Sequence, residues 1–77
     1  MTQTEINEAI VILSLTNRPS AKVKKETERL KGLSLYNLIL ARQERMGYVQ
    51  RKDVGDLGVK LVPVAHAVKH AKWVLAQ

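Results

Sequence analysis

Apolar positions in the first third of the chain recur with a helical period. Ile6, Ile10 and Leu13 lie three or four residues apart, and Ala9, Val11 and Ile12 widen the stripe. Thr2 followed by Glu5 has the form of a capping box, with Thr4 as the alternative cap, so a first helix is predicted to begin here. Asn17 and Pro19 end it, because proline breaks the hydrogen-bond ladder and biases its predecessor away from helix. Ser20 then caps a second helix with a narrow apolar face, Val23, Thr27 and Leu30. Lys22, Lys25 and Arg29 fall mostly on its water side, and Gly32 is predicted to supply the left-handed residue that stops it.

A short corner, Gly32-Leu33-Ser34, leads to a third helix, with Ser34 as its cap and Leu35 to Met46 as its body. Leu35, Leu38, Ile39 and Met46 are predicted to pack on one side, flanked by Tyr36 and Leu40. Ser34, Asn37, Ala41 and Arg45 project from the other side, and Gly47 closes the helix. Tyr48 to Lys52 and Val59 to Val62 read as two short strands around the turn-forming segment Asp53 to Gly58. Pro63 suits the first turn of a fourth helix, whose apolar face is Val64, Ala67, Val68, Ala71 and Leu75. The expected architecture is α+β and mostly helical, one domain over residues 1–77.

Composition narrows the function classes. The 77 residues include 45% hydrophobic side chains, enough for a packed core, and no cysteine. Without cysteine there is no disulfide framework and no thiolate for zinc or nucleophilic chemistry. No apolar run approaches the ~18 residues of a membrane span, and the polar opening Met1 to Glu5 is unlike a secretory leader. A cytoplasmic protein that does not act at a membrane is therefore expected. No nucleophile–base pair, paired-carboxylate motif or phosphate-cradling glycine loop is recognisable, which argues against an enzyme, and no cofactor is implied. Thirteen bases face seven acids for a net charge of +6, and every base lies at or beyond Arg18. A basic surface of this kind attracts phosphate.

The order of elements carries the functional signal. Two helices joined by a tight corner are followed by a hairpin and a further helix. Through Gly32, Leu33, Ser34 and Leu38, then Gly47, Tyr48, Val49 and Arg51, then Leu61 and the helix from Pro63, the chain resembles the winged helix-turn-helix family of bacterial and phage transcription regulators. The resemblance spans about Ile6 to Leu75. It departs from the family pattern in three ways. The third helix is about two residues shorter, Arg42 and Gln43 stand where a packed leucine is usual, and Leu61 to Ala65 replaces the usual opening of the last helix. The resemblance implies double-stranded DNA as partner and a reading helix over residues 34–46.

Ser34, Asn37, Ala41 and Arg45 would then line the strip facing the major groove, with Asn37 suited to adenine and Arg45 to guanine or phosphate. Lys22, Lys24, Lys25 and Arg29 on the second helix (residues 20–31), and Arg51, Lys52 and Lys60 on the wing (48–62), would hold phosphates. Local pairs such as Lys22–Glu26, Lys24–Glu28 and Lys25–Glu28 would instead make the second helix a solvated face. His66, Lys69, His70 and Trp73 form a strip on the last helix. It suits either a protein partner, such as a host RNA polymerase, a second copy of the chain, or, for Trp73, a lid over the core. His66 and His70 stand four apart, as metal ligands can, but no third ligand is evident. Single-stranded nucleic acid is a weaker fit, because stacking platforms need exposed rings and the aromatic residues are few, Tyr36, Tyr48 and Trp73.

Overall fold

In the computed structural model, which describes all 77 residues, the first helix is the axis of the fold. It is α1, Gln3–Ser14, and it buries Asn7 and every residue from Ala9 to Leu13. A run buried all round needs neighbours on more than one side. Those neighbours are α2, Ala21–Gly32, and α3, Tyr36–Arg45, on one flank and α4, Ala65–Ala76, on the other. Between α3 and α4 lies an antiparallel hairpin of β1, Val49–Asp53, and β2, Val59–Pro63, in which Val49 pairs with Pro63 and Asp53 with Val59. The architecture is α+β, with four helices and a two-stranded hairpin, mostly helical. No helix is long and apolar enough to cross a membrane.

Two apolar clusters hold these elements. Ala9, Ile12 and Leu13 of α1 meet Val23 of α2 and Ala67, Ala71 and Val74 of α4. The alanines let α1 and α4 approach closely. Around the other side of α1, Ile10 and Val11 meet Leu30 of α2, with Leu35, Tyr36, Ile39 and Leu40 packed against them. Leu30 is fully buried, and removing such a side chain from water is worth about 1.5–3 kcal/mol.

The helix ends follow from local chemistry. The Thr2 hydroxyl accepts from the Glu5 amide at 3.2 Å, and the Glu5 carboxylate accepts from the Thr2 amide, so the predicted capping box is complete. The Ser20 hydroxyl accepts from the Val23 amide, as expected of a cap. The corner after α2 differs from expectation. Gly32 is still helical, and the left-handed residue is Ser34, at φ 60°. The Leu35 amide donates to the Leu30 carbonyl and the Ser34 amide to that of Lys31, both at 3.0 Å. This is a Schellman closure, sealed by contact between Leu35 and Leu30. Ser34 therefore ends α2 and does not cap α3, which starts at Tyr36 behind Leu35 with no side-chain cap. The same closure recurs at Gly47, φ 81°, where the Tyr48 amide donates to the Gln43 carbonyl.

The inner face of α3 also differs. Leu38 and Met46, expected in the core, are 67% and 49% exposed, while Gln43 is 1% exposed. At ~100° per residue the inward sector is the one shared by Tyr36, Ile39, Leu40 and Gln43. Leu38 falls almost opposite Gln43, so an arc fixed by its neighbours leaves a leucine outside and an amide inside. The strands are displaced by one residue at their outer ends. Tyr48 precedes β1, Asp53 belongs to it, and Pro63 closes β2 rather than opening α4. The Val64 amide donates to the Tyr48 carbonyl, so Val64 becomes the residue before α4.

Candidate nucleic-acid interface

The α2–α3 corner turns one side of α3 outward. Asn37, Leu38, Ala41 and Arg45 form an exposed strip there, with Arg42 at its edge and Ser34 at the corner. None of Asn37, Leu38 or Arg45 makes a side-chain hydrogen bond or ion pair. Three chemistries therefore stand free side by side: an amide with both a donor and an acceptor, an apolar patch from Leu38 and Ala41, and a guanidinium. Such a strip matches what a base edge offers, including the thymine methyl for its apolar part.

The bases of α2 do not form one patch. Val23, Thr27 and Leu30 point inward, and Lys22 and Lys24 then lie on opposite flanks, about 160° apart around the axis. Lys25 faces outward between them. Lys24 and Lys31 border a shallow hollow with Ser14, Pro19 and Tyr36, and the Lys31 ammonium sits 5.3 Å from the Tyr36 ring centre. The lysine–glutamate pairs expected on this helix are replaced by others. Glu26 takes the Arg29 guanidinium at 2.7 Å, and Glu28 takes the Lys31 ammonium at 3.4 Å. Arg29 also reaches Asn7 Oδ1 at 3.4 Å, so it is tied to α1 rather than free for phosphate. Lys22, Lys24 and Lys25 remain unpaired.

The hairpin divides its charges between two faces, because neighbouring residues in a strand point to opposite sides. Arg51 is turned toward α3, where Glu44 holds its guanidinium through Nε and, at 3.2 Å, through Nη2. This hydrogen-bonded ion pair raises the Arg51 pKa above its already high ordinary value and fixes the charge. It also neutralises Glu44, which by sequence stands beside Arg45 and would repel phosphate. On the other hairpin face Lys52 lies directly opposite Lys60, and Lys60 Nζ reaches Asn17 Oδ1 at 3.4 Å. Like charges directly opposite in an antiparallel pair are mutually destabilising, and an anion bridging them relieves the repulsion.

On α4, His66, His70 and Trp73 follow one another along one flank, with Lys69 further out. Trp73 does not lid the core. It is 56% exposed and stacks on His70 with ring centres 5.9 Å apart. The two imidazoles also line a groove that sequence reasoning did not anticipate. It runs between α1 and α4, has a volume of about 360 Å³, and is closed at one end by Gln43, Met46 and Tyr48. Nothing in the pattern of the chain marks it, because its lining comes from α1, α4, the end of α3 and Tyr48, which only the fold brings together. No three His, Asp or Glu side chains converge to hold a metal ion. No protein-family model, curated protein or solved structure matches the chain.

Proposed function

We propose that the chain is a small winged-helix protein that binds double-stranded DNA and regulates transcription. The observation that carries this reading is the outward strip of α3, Asn37, Leu38, Ala41 and Arg45, which has no partner within the fold. A helix fits the major groove, and a strip of mixed donors, acceptors and apolar surface discriminates base pairs there. Asn37 pairs with adenine, Leu38 and Ala41 meet thymine methyls, and Arg45 takes guanine. The unpaired Lys22, Lys24, Lys25, Lys52 and Lys60 contribute affinity through phosphate and counterion release rather than sequence reading. Arg51 joins them on the α3 side once Glu44 is displaced. Ser34 contributes the bend, not a base contact.

The test is selection of a preferred duplex from a random pool, followed by affinity measurements over a range of salt. Parent affinity falls steeply with salt. Arg45→Ala relaxes preference at one position, and Lys25→Ala weakens all duplexes alike. Absence of any salt-dependent duplex binding refutes the proposal.

One observation favours a second reading. Trp73 is half exposed on a helix flank with His66, Lys69 and His70, and tryptophan is enriched at the anchor points of protein interfaces. In that reading the same fold docks on a protein of the transcription machinery, such as RNA polymerase. Affinity capture from bacterial lysate with and without nuclease separates the two. A protein partner that survives nuclease and is lost in Trp73→Ala favours the second.

A further inference from the structure

We infer that the groove between α1 and α4 receives the hairpin tip of a second copy of this chain. The groove has an apolar floor, Ala9, Ile12, Ala71 and Val74, and a volume within the ~300–1,000 Å³ of ordinary binding pockets. Its two lips differ in chemistry. Glu5 and Glu8 of α1 stand on one, and His66 and His70 of α4 on the other. Two polar atoms there lack hydrogen bonds. Gln43 is 1% exposed, and its Nε2 has no acceptor. Glu8 Oε1 lies 3.0 Å from Arg42 Nη1, but out of line, so it is charge-compensated and still lacks a donor.

The tip of the hairpin has the complementary form. Leu57 is 88% exposed, Val59 63% and Val54 40%, an apolar knob with nothing over it. The knob is already rigid. The Gly58 amide donates to the Gly55 carbonyl, the Val54 amide to the Gly58 carbonyl, and the Gly55 amide to Asp53 Oδ1, each at 2.9 Å. Little conformational freedom remains to be lost on docking. Behind the knob stand Lys52 and Lys60, and on it stand Asp53 and Asp56. The lysines match the Glu5 carboxylate on one lip, the aspartates match the imidazole lip, and Leu57 meets the alanine floor. DNA is a poor occupant for this knob, because both aspartates repel phosphate. Two chains that exchange tips about a two-fold axis double the contact made by a single tip in a single groove.

Sedimentation velocity from about 10 µM to about 1 mM tests this, in the range expected of a small interface. The parent shifts from monomer to dimer across that range. Leu57→Asp and Met46→Arg each remain monomeric; both positions are exposed, and circular dichroism checks that the folds persist. The decisive arm mixes the two variants. The Leu57→Asp chain keeps an intact groove, and the Met46→Arg chain keeps an intact tip. Adding unlabelled Met46→Arg to isotope-labelled Leu57→Asp therefore shifts the amide resonances of Ala9 and Ala71 and the Gln43 side-chain resonances. A parent that stays monomeric throughout, a dimer that survives Leu57→Asp, or a mixture without groove shifts overturns the inference.

Discussion

Replacing Gln43 by methionine is expected to stabilise the protein. Gln43 sits at the centre of the inward sector of α3, 1% exposed, with its Nε2 unpartnered. Leaving a buried amide donor unsatisfied costs about 1–3 kcal/mol. Methionine has the same unbranched length and nearly the same helix propensity, so neither packing volume nor backbone preference changes much. The expected gain is about 1–2 kcal/mol at the polar group itself. A chain of 77 residues has a total stability of about 4–12 kcal/mol, so this gain is a large fraction of it. Each kcal/mol shifts Tm by about 4–8 °C in a domain of this size. Urea unfolding is the cleaner assay: the midpoint rises by about 1 M with an unchanged slope, since the surface exposed on unfolding is the same. Gln43→Glu buries a charge at the same place and moves the midpoint the other way. An unchanged or lower midpoint for Gln43→Met would refute the argument that this amide is unsatisfied in the isolated chain.

Three further outcomes are expected. Leu30→Ala removes the side chain that joins α1, α2 and the corner, costs about 2–5 kcal/mol, and lowers the urea midpoint followed by circular dichroism by a large fraction of its parent value. Ser34→Gly relieves the left-handed backbone at φ 60° and raises stability by about 1 kcal/mol in urea unfolding, with duplex affinity unchanged; lost affinity would give Ser34 a base or phosphate contact after all. Glu44→Gln frees the Arg51 guanidinium, so duplex affinity rises and the slope of log K against log salt steepens by about 0.9 for the added phosphate contact. Weaker binding by that variant would show that Arg51 acts only as a tether between α3 and β1.

The features legible in the sequence are those fixed by neighbours within about one turn. Thr2 with Glu5, Ser20, and the stripe Val23, Thr27 and Leu30 each need only local spacing, and each stands as expected. The hairpin was legible for the same reason, since Gly and Asp cluster between two β-prone runs. What was not legible depends on the arc of α3 that faces inward. Leu38 and Gln43 lie on nearly opposite sides of that helix, and hydrophobicity alone puts the leucine inside. The fold decides otherwise because Tyr36, Ile39 and Leu40 are drawn to Leu30 and α1, and Gln43 turns with them. Ser34 misled for a related reason. Serine is a good helix cap and a poor left-handed residue, so only the bonds from Ser34 and Leu35 back to Lys31 and Leu30 reveal its place. Ion pairs were the least legible, because an arginine seven residues from a glutamate meets it only through a particular corner, as Arg51 meets Glu44.

The inward Gln43 and outward Leu38 of α3 have one physical consequence for the proposed DNA contact. A polar group left unsatisfied inside and an apolar group left bare outside each lower the stability of the lone chain, and a sequence under selection for stability alone would exchange them. In the proposed DNA contact, Leu38 beside Asn37 and Arg45 meets a partner with methyls and base edges. If the exposed leucine serves binding, the double variant Leu38→Gln with Gln43→Leu folds more stably than the parent and loses duplex discrimination. Greater stability with duplex discrimination intact would separate Leu38 from function, and lower stability would place the unsatisfied group elsewhere in the core.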